Sequence, residues 1–210
     1  MSTYQTDEEQ VEALKKWWKE HGKSIIAGAV VGLSLVLGWQ GWERYDRGQA
    51  EQAAGYYSEF SNTVRSGQAA QAAEQGDRLI KQFGDSAYAS FAALELARLA
   101  YDEGRFDQAR ERLQWVADHS VDAALAQLGR LRLGQLLLDQ GELDAARGVV
   151  DAADKGSYVA SFAELRGDIA VAAGDNAAAA AAYQEALAAD AENADLVRMK
   201  LADTGHAPAL

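Results

Sequence analysis

Residues 104–109 of the chain read GRFDQA, residues 141–146 read GELDAA and residues 174–179 read GDNAAA. A less regular copy, GQAAQA, occupies residues 67–72, so the phrase recurs at intervals of 37, 37 and 33 residues. Glycine adopts positive φ without strain, so in each copy it can end one helix before the apolar stripe of a second helix begins. Intervals of this length are typical of stacked helix-turn-helix units. The phrases therefore predict an all-α solenoid over residues 43–210.

Stacked helix pairs need small residues where two helices cross closely, because a larger side chain would hold the backbones apart. Gly134 and Gly167 each stand seven residues before a turn glycine, and Ala97 has the equivalent place one unit earlier. We therefore expect close helix crossings at these three positions. Asp107 and Asp144 recur in the repeated phrase, where a carboxylate interacts favourably with the N-terminal dipole of the second helix.

The repeats resemble the tetratricopeptide repeat. The last unit carries the resemblance most clearly, and its matching residues are Gly174, Ala179, Tyr183, Ala186 and Leu187. The matching residues of the middle units are Phe106, Ala109 and Leu113, followed by Leu143, Ala146 and Val150. Asn176 replaces the expected aromatic residue, Ala191 stands near the usual proline, and the first unit is degenerate. The sequence therefore predicts three or four repeats.

This resemblance implies a protein-binding groove lined by the first helix of each unit. The corresponding residues are Phe91, Leu94, Arg98, Tyr101, Leu128, Leu131, Gln135 and Leu138. Most of these side chains are apolar and few are charged, which suits extended or partly unfolded apolar segments. The alternative is that the same leucines and aromatic residues close the superhelix on itself or pack beneath a capping helix.

Residues 24–42 contain no charged side chain and are rich in Ile, Val, Leu, Ala and Gly. Roughly 19 residues at about 1.5 Å per residue approach the hydrocarbon thickness of a bilayer. Lys23 on one side, with Trp39 and Trp42 on the other, are anchors typical of the two membrane interfaces. The pattern predicts a single N-terminal transmembrane helix over residues 24–42.

A cleaved signal peptide is the main alternative to this anchor, since a charged stretch precedes the apolar run. The small residues of a cleavage site are missing after the run, where residues 39–42 read WQGW. A retained anchor is therefore favoured over a periplasmic scaffold that signal cleavage releases.

The charges that flank the apolar run indicate its orientation. Four lysines lie within residues 15–23, whereas Arg44 and Arg47 follow the run, so the bias places the N-terminus inside. Within the run, Gly28 and Gly32 form a small-xxx-small pair that would let another membrane helix approach closely.

Several classes of function are excluded by composition and motif. The formal net charge of -12 repels phosphate backbones, so no nucleic-acid partner is expected. The chain has no cysteine, which excludes disulfides, thiolate nucleophiles and thiolate metal sites. His21, His119 and His206 are isolated from one another, and no nucleophile-elbow, Walker or dinucleotide-binding glycine motif occurs. We therefore expect no enzymatic activity, no cofactor and no metal site.

Residues 6–23 read TDEEQVEALKKWWKEHGK and lead directly into the apolar run, which ends in GWQGW at residues 38–42. With the repeats behind it, this stretch resembles the YfgM family over essentially the whole chain. The resemblance implies an ancillary subunit of the SecYEG translocon in the bacterial inner membrane. Residues 1–23 would be cytoplasmic, residues 24–42 would cross the membrane once, and residues 43–210 would form a periplasmic tetratricopeptide repeat-like domain.

The family resemblance also implies partners. It implies the periplasmic chaperone PpiD and emerging client proteins that are transferred to the periplasmic chaperone network. An alternative function is regulatory, in which the N-terminal segment restrains a cytoplasmic stress-response regulator. In that segment Val11, Leu14, Trp17 and Trp18 form an amphipathic pattern, which fits either a helix on the inner membrane surface or an ordinary helical lead-in to the span.

Overall fold

The computed structural model describes residues 7–153 and 156–205, and within these ranges the chain is helical with no strand. The helices are α1 (Asp7–Arg65), α2 (Ala69–Gln82), α3 (Ala87–Asp102), α4 (Phe106–His119), α5 (Ala123–Asp139), α6 (Leu143–Asp151), α7 (Val159–Ala172), α8 (Asn176–Ala188) and α9 (Ala194–Asp203). The predicted all-α class is confirmed. The chain divides into two compact units, Met1–Glu51 and Gln52–Leu210, which are described separately.

The first unit contains the apolar run of α1. Within it, Gln10–Ser24 and Ile26–Gln40 are inclined to each other by 42°. Across the described residues no single helix is long and apolar enough to cross a membrane, whereas this bent pair meets the requirement by length and composition. The single transmembrane helix at residues 24–42 therefore stays a prediction.

The second unit is a series of helix pairs, each joined by a turn with glycine at positive φ. The turn glycines are Gly67, Gly104, Gly141 and Gly174, with φ of 73°, 72°, 73° and 78°. In the third turn the N–H of Gly141 donates to the carbonyl of Leu138, and the N–H of Glu142 donates to the carbonyl of Leu137, each at 2.9 Å. The other three turns repeat this pair of bonds, which satisfies carbonyls at the end of the first helix. The described residues thus contain four helix pairs, the first of which uses residues 52–65 of α1.

The starts of three of these helices are fixed by side-chain caps. Ser86 accepts a hydrogen bond from the N–H of Ala89 at the start of α3. Oδ1 of Asp122 accepts from two N–H groups of α5, and Oδ1 of Asp175 accepts from the N–H of Ala178 in α8. Such caps satisfy donors that have no partner within the helix.

The first helices of successive pairs stack on one another, since α5 contacts both α3 and α7 in addition to its sequence neighbours α4 and α6. The predicted close crossings occur. A Cβ at Gly134 would lie 2.9 Å from Cδ2 of Leu165, and one at Gly167 would overlap the ring of Tyr183. Ala97 is buried in the same core. The crossings explain why the first helices carry small residues at this place in each unit.

The last helix, α9, is joined to α7 by a partly buried ion network. Nζ of Lys200 donates to Oε1 of Glu164 at 2.7 Å and to Oδ1 of Asp168 at 2.8 Å, and the Tyr183 hydroxyl donates to Oδ1 of Asp168 at 2.8 Å. Burial of Lys200 lowers its pKa, but the bonds to Asp168 and Glu164 outweigh burial, so the pKa is raised. Burial first, and then the bond to Asp168, raises the pKa of Tyr183 well above its usual range.

Candidate functional site

The second unit contains a cavity of about 740 Å³ on one side of the stacked helices. Its walls come from α1, α3, α4 and α5. The lining residues are Tyr57, Phe91, Leu94, Glu95, Ala97, Arg98, Tyr101, Ala109, Leu113, Leu128, Arg132, Gln135, Leu136 and Asp139. A volume of this size is within the range of protein pockets that enclose a small ligand.

The aromatic lining residues Tyr57 and Phe91 pack together with Tyr88, which does not itself line the cavity. The ring of Tyr57 lies 5.6 Å from that of Tyr88 and 5.9 Å from that of Phe91, and Tyr88 meets Phe91 edge-on at 6.3 Å. These distances are those of favourable aromatic pairs. Phe91 nevertheless remains 38% exposed and Tyr101 43% exposed. Apolar ring surface is therefore exposed at these two residues.

Polar side chains line the cavity as well. Glu95 and Asp139 are acidic, while Arg98 and Arg132 are basic, so the lining carries balanced charge. Nη2 of Arg98 lies 2.6 Å from Oε1 of Glu95, and Nη1 of Arg132 donates to Oε1 of Gln135 at 3.1 Å. The cavity is therefore more polar than the groove that the sequence predicted.

The polar contacts displace several pKa values. The side-chain hydrogen bond to Glu95 raises the pKa of Arg98 above its ordinary value. The hydroxyl of Tyr101 donates to Asp139, and this bond raises the pKa of Tyr101. Burial, followed by the charge of Glu95, raises the pKa of Tyr57. All three groups therefore keep their usual protonation states near neutral pH.

Six of the eight residues predicted for the groove line this cavity, namely Phe91, Leu94, Arg98, Tyr101, Leu128 and Gln135. Leu131 is only 5% exposed and belongs to the hydrophobic core. Leu138 is partly buried against the same core. Neither of these two leucines lines the cavity, because α5 buries leucines on more than one face. Protein binding by any of the eight residues stays a prediction.

Sequence reasoning missed several lining residues. On α5, Arg132, Leu136 and Asp139 follow Leu128 by 4, 8 and 11 positions, a helical spacing that was available as a signal. Tyr57 had no such signal, because it precedes the least regular copy of the repeated phrase.

The other predicted contact site lies in the first unit. In the described part of the chain, a Cβ at Gly28 or Gly32 would meet no heavy atom of a neighbouring element within 4 Å. The two glycines therefore leave room for a second helix, although contact with one stays a prediction. Across residues 7–153 and 156–205, no group of three or more His, Asp or Glu side chains is arranged to hold a metal ion.

Comparison with known proteins agrees with the fold. A family model described as a tetratricopeptide repeat-like domain matches residues 15–206. A Haemophilus influenzae protein named ancillary SecYEG translocon subunit is 32% identical over 196 residues, which cover 93% of this chain and 96% of that protein. The Escherichia coli protein of the same name is 27% identical over 205 residues, covering 96% of this chain and 98% of that protein. A third protein of this name, from Aggregatibacter actinomycetemcomitans, is 29% identical over 108 residues, covering 51% of this chain and 52% of that protein.

The family model covers most of the chain, and two relatives match it over nearly their full lengths. The resemblance drawn from the repeats and the N-terminal stretch is thereby confirmed. The chain belongs to the tetratricopeptide repeat-like family that includes the ancillary SecYEG translocon subunits.

Proposed function

We propose that the chain is a membrane-tethered, protein-binding subunit of the SecYEG translocon that holds short apolar segments of emerging proteins and helps transfer them to periplasmic chaperones. The observation that carries the proposal is the cavity on α3 and α5, which exposes Phe91 and Tyr101 in a chain whose near-full-length relatives are named translocon subunits. Its role is binding, not catalysis.

The chemistry of the cavity favours extended apolar segments. Exposed ring faces at Phe91 and Tyr101 bind large apolar side chains, which remain unburied in a chain that has not yet folded. Arg132 and Gln135 supply donors and an acceptor for the backbone of such a segment. Because the acidic and basic residues of the lining balance, the cavity selects a bound segment by its apolar side chains more than by its net charge.

The proposed topology follows from the N-terminal unit. Residues 1–23 lie in the cytoplasm, the apolar run at residues 24–42 crosses the inner membrane, and residues 43–210 are periplasmic. The run is flanked by lysines on its N-terminal side, as the positive-inside rule requires. A tether beside the translocation exit raises the local concentration of emerging segments, so a binding cavity of modest affinity is sufficient without ATP.

This topology is tested by thiol labelling in intact cells, because the chain has no cysteine of its own. Two full-length variants, Gln10→Cys and Val121→Cys, each carry a single thiol. We expect a membrane-impermeant maleimide added to cells with a permeabilised outer membrane to label position 121 and to spare position 10 until the inner membrane is opened. Labelling of both positions, or of neither, would rule out the proposed topology.

The proposed partners are tested by isolating the tagged full-length protein from native membranes in mild detergent, followed by quantitative mass spectrometry. We expect enrichment of SecYEG and of the periplasmic chaperone PpiD. Recovery of a cytoplasmic regulator without the translocon would favour the regulatory alternative.

The role of the cavity needs a separate variant. Phe91→Ser with Leu94→Ser removes apolar lining while Leu131, which is part of the core, stays intact. We expect this variant to retain SecYEG and to lose emerging chains. Val121→Ser, at an exposed position outside the cavity, is the matched control and should retain both.

A further inference from the structure

The segment Gln10–Ser24 carries an exposed apolar stripe. Its members, Val11, Leu14, Trp17 and Trp18, are between 47% and 65% exposed. At about 100° per residue they fall within an arc of about 120°, which is one face of the helix. An apolar stripe of this size on a charged helix indicates a binding surface.

The two tryptophan rings lie along the helix surface. Trp17 stacks on His21 with ring centroids 5.5 Å apart and an interplanar angle of 20°. The indole of Trp18 covers Gly22, where an added Cβ would lie 3.2 Å from Cε2 of the ring. The stripe is therefore broad and aromatic, which suits the boundary between lipid headgroups and acyl chains.

The remaining face of this segment is basic. Its lysines are Lys15, Lys16, Lys19 and Lys23. The segment Gln10–Ser24 also includes Glu12 and Glu20, so the lysines are in excess. In the sequence, the acidic residues 7–9 precede this segment, whereas the lysines continue up to the apolar run. The charge nearest the run thus complements anionic phospholipid headgroups.

Because α1 is bent, this segment is not parallel to the apolar run that follows it. Gln10–Ser24 is inclined by 42° to Ile26–Gln40. Membrane helices tilt by up to about 40° from the bilayer normal, so the bend and the tilt together bring the first segment close to the membrane plane.

We propose that Gln10–Ser24 is an interfacial helix on an anionic lipid surface. Its apolar stripe enters the acyl boundary of the cytoplasmic leaflet, and its lysines contact anionic headgroups. The proposal rests on the membrane tether of the proposed function. It adds a second, lateral attachment that fixes the orientation in which the chain leaves the membrane.

Site-directed spin labelling of the full-length protein tests this placement, again because no native cysteine interferes. The labelled positions are Val11→Cys and Leu14→Cys on the stripe, Lys16→Cys and Lys19→Cys on the basic face, and Val30→Cys in the apolar run. Each variant is reconstituted into phosphatidylcholine vesicles that contain about one-third phosphatidylglycerol. Collision with oxygen reports an apolar environment, and collision with a nickel chelate reports an aqueous one.

We expect the labels at positions 11 and 14 to favour oxygen and those at positions 16 and 19 to favour the nickel chelate, with position 30 deep in the hydrocarbon. Equal nickel accessibility at positions 11, 14, 16 and 19, with position 30 still buried, would overturn the interfacial helix and leave the tether intact. Exposure of position 30 to nickel would overturn the tether itself. Protection of the stripe in native membranes but not in pure lipid would overturn the proposal in favour of a protein partner.

A separate variant tests the contribution of the lysine charges to lipid binding. Replacement of Lys15, Lys16, Lys19 and Lys23 by Gln is expected to lower the ratio of embedded to aqueous label at position 11 by about fivefold for each lysine when phosphatidylglycerol is present. Glu12→Gln with Glu20→Gln, the matched control, is expected to raise that ratio. An unchanged ratio in the lysine variant would overturn the assignment to anionic lipid.

Discussion

The hydroxyl of Tyr101 donates a hydrogen bond to Oδ2 of Asp139 at 2.9 Å, and this bond joins α3 to α5 at the lining of the cavity. The Tyr101 ring also meets Phe106 edge-on at 5.5 Å, so it is held from two directions. Because adjacent repeats are linked at this point, the exposed face of Tyr101 has a defined position relative to the residues of α5 that a bound segment would contact.

Asp139→Asn tests this contact directly. The bond to Asp139 and the negative charge of its carboxylate raise the pKa of Tyr101. An amide keeps an acceptor oxygen but removes the charge, so the pKa of Tyr101 should fall towards its ordinary value. Titration of the Tyr101 ring carbon by NMR, assigned with Tyr101→Phe, measures the change. An unaltered Tyr101 titration in Asp139→Asn would contradict the contact.

Gly167→Ala should destabilise the repeat domain. The new methyl group would overlap the Tyr183 ring, which is itself buried and cannot move away freely. We expect a loss of about 1–3 kcal/mol in the free energy of unfolding, the usual cost of overpacking a core. Gly148→Ala is the matched control, since a Cβ there meets nothing within 4 Å on helix α6, and it should leave stability unchanged or raise it by about 0.5–1 kcal/mol. Urea unfolding of both variants decides the comparison, and equal losses would contradict the close crossing.

Lys200→Met should loosen α9. Lys200 is bonded to Asp168 and Glu164 on α7, and its removal leaves two partly buried carboxylates without their cation. We expect a loss of about 2 kcal/mol, the usual worth of hydrogen bonds to charged groups. Arg198→Met, which breaks an exposed pair with Asp195, should change stability by less than about 0.5 kcal/mol. Hydrogen exchange of the α9 amides locates the effect, and unchanged α9 protection in Lys200→Met would contradict this role.

The same network predicts a loss of stability in alkaline solution. The pKa of Tyr183 is raised above its ordinary value of 10.0, and that of Lys200 above 10.5. The folded state therefore binds these protons more tightly than the unfolded state, so their stabilisation is fully present below about pH 10 and is lost as the pH rises further. Tyr183→Phe removes one of the two groups, so its free energy of unfolding should fall less between about pH 8 and about pH 11 than that of the unaltered protein. An equal fall in both proteins would show that Tyr183 does not contribute.

The repeat architecture was predictable because its signals are local. A turn with glycine at positive φ and a pair of capping backbone bonds involves only a few consecutive residues. Each copy of the repeated phrase, such as those that begin at Gly104 and Gly141, therefore marks one turn in the sequence. The small residues at Gly134 and Gly167 could likewise be interpreted from their constant distance to the turn glycine.

The assignment of faces was less predictable. On α5, Leu131, Leu133 and Leu137 are all buried, so apolar character alone does not separate the core from the cavity wall. The polar residues Arg132 and Asp139 mark the face of α5 that lines the cavity. Only the packing of the neighbouring helices shows that this face is the cavity wall.

The N-terminal helix shows a further limit of local reasoning. The boundaries at residues 23–24 and 42–43 follow changes of charge and hydropathy, and they stay predictions. The 42° inclination near residue 25 could not be predicted from a proline, because the chain's single proline is Pro208. Hydropathy indicates the solvent that a segment prefers. A bend within a helix depends on backbone geometry, which a hydropathy pattern does not contain.

Site-specific photocrosslinking tests the central claim, that the cavity holds emerging proteins, most directly. A photoreactive amino acid is placed at Leu94, inside the cavity, or at Val121, which is 61% exposed and outside it, in the full-length protein in native membranes. A secretory chain arrested during translocation should crosslink to position 94 and not to position 121, and Phe91→Ser should weaken the crosslink at position 94. Equal crosslinking at the two positions, or none at position 94 while SecYEG still co-purifies, would contradict the account.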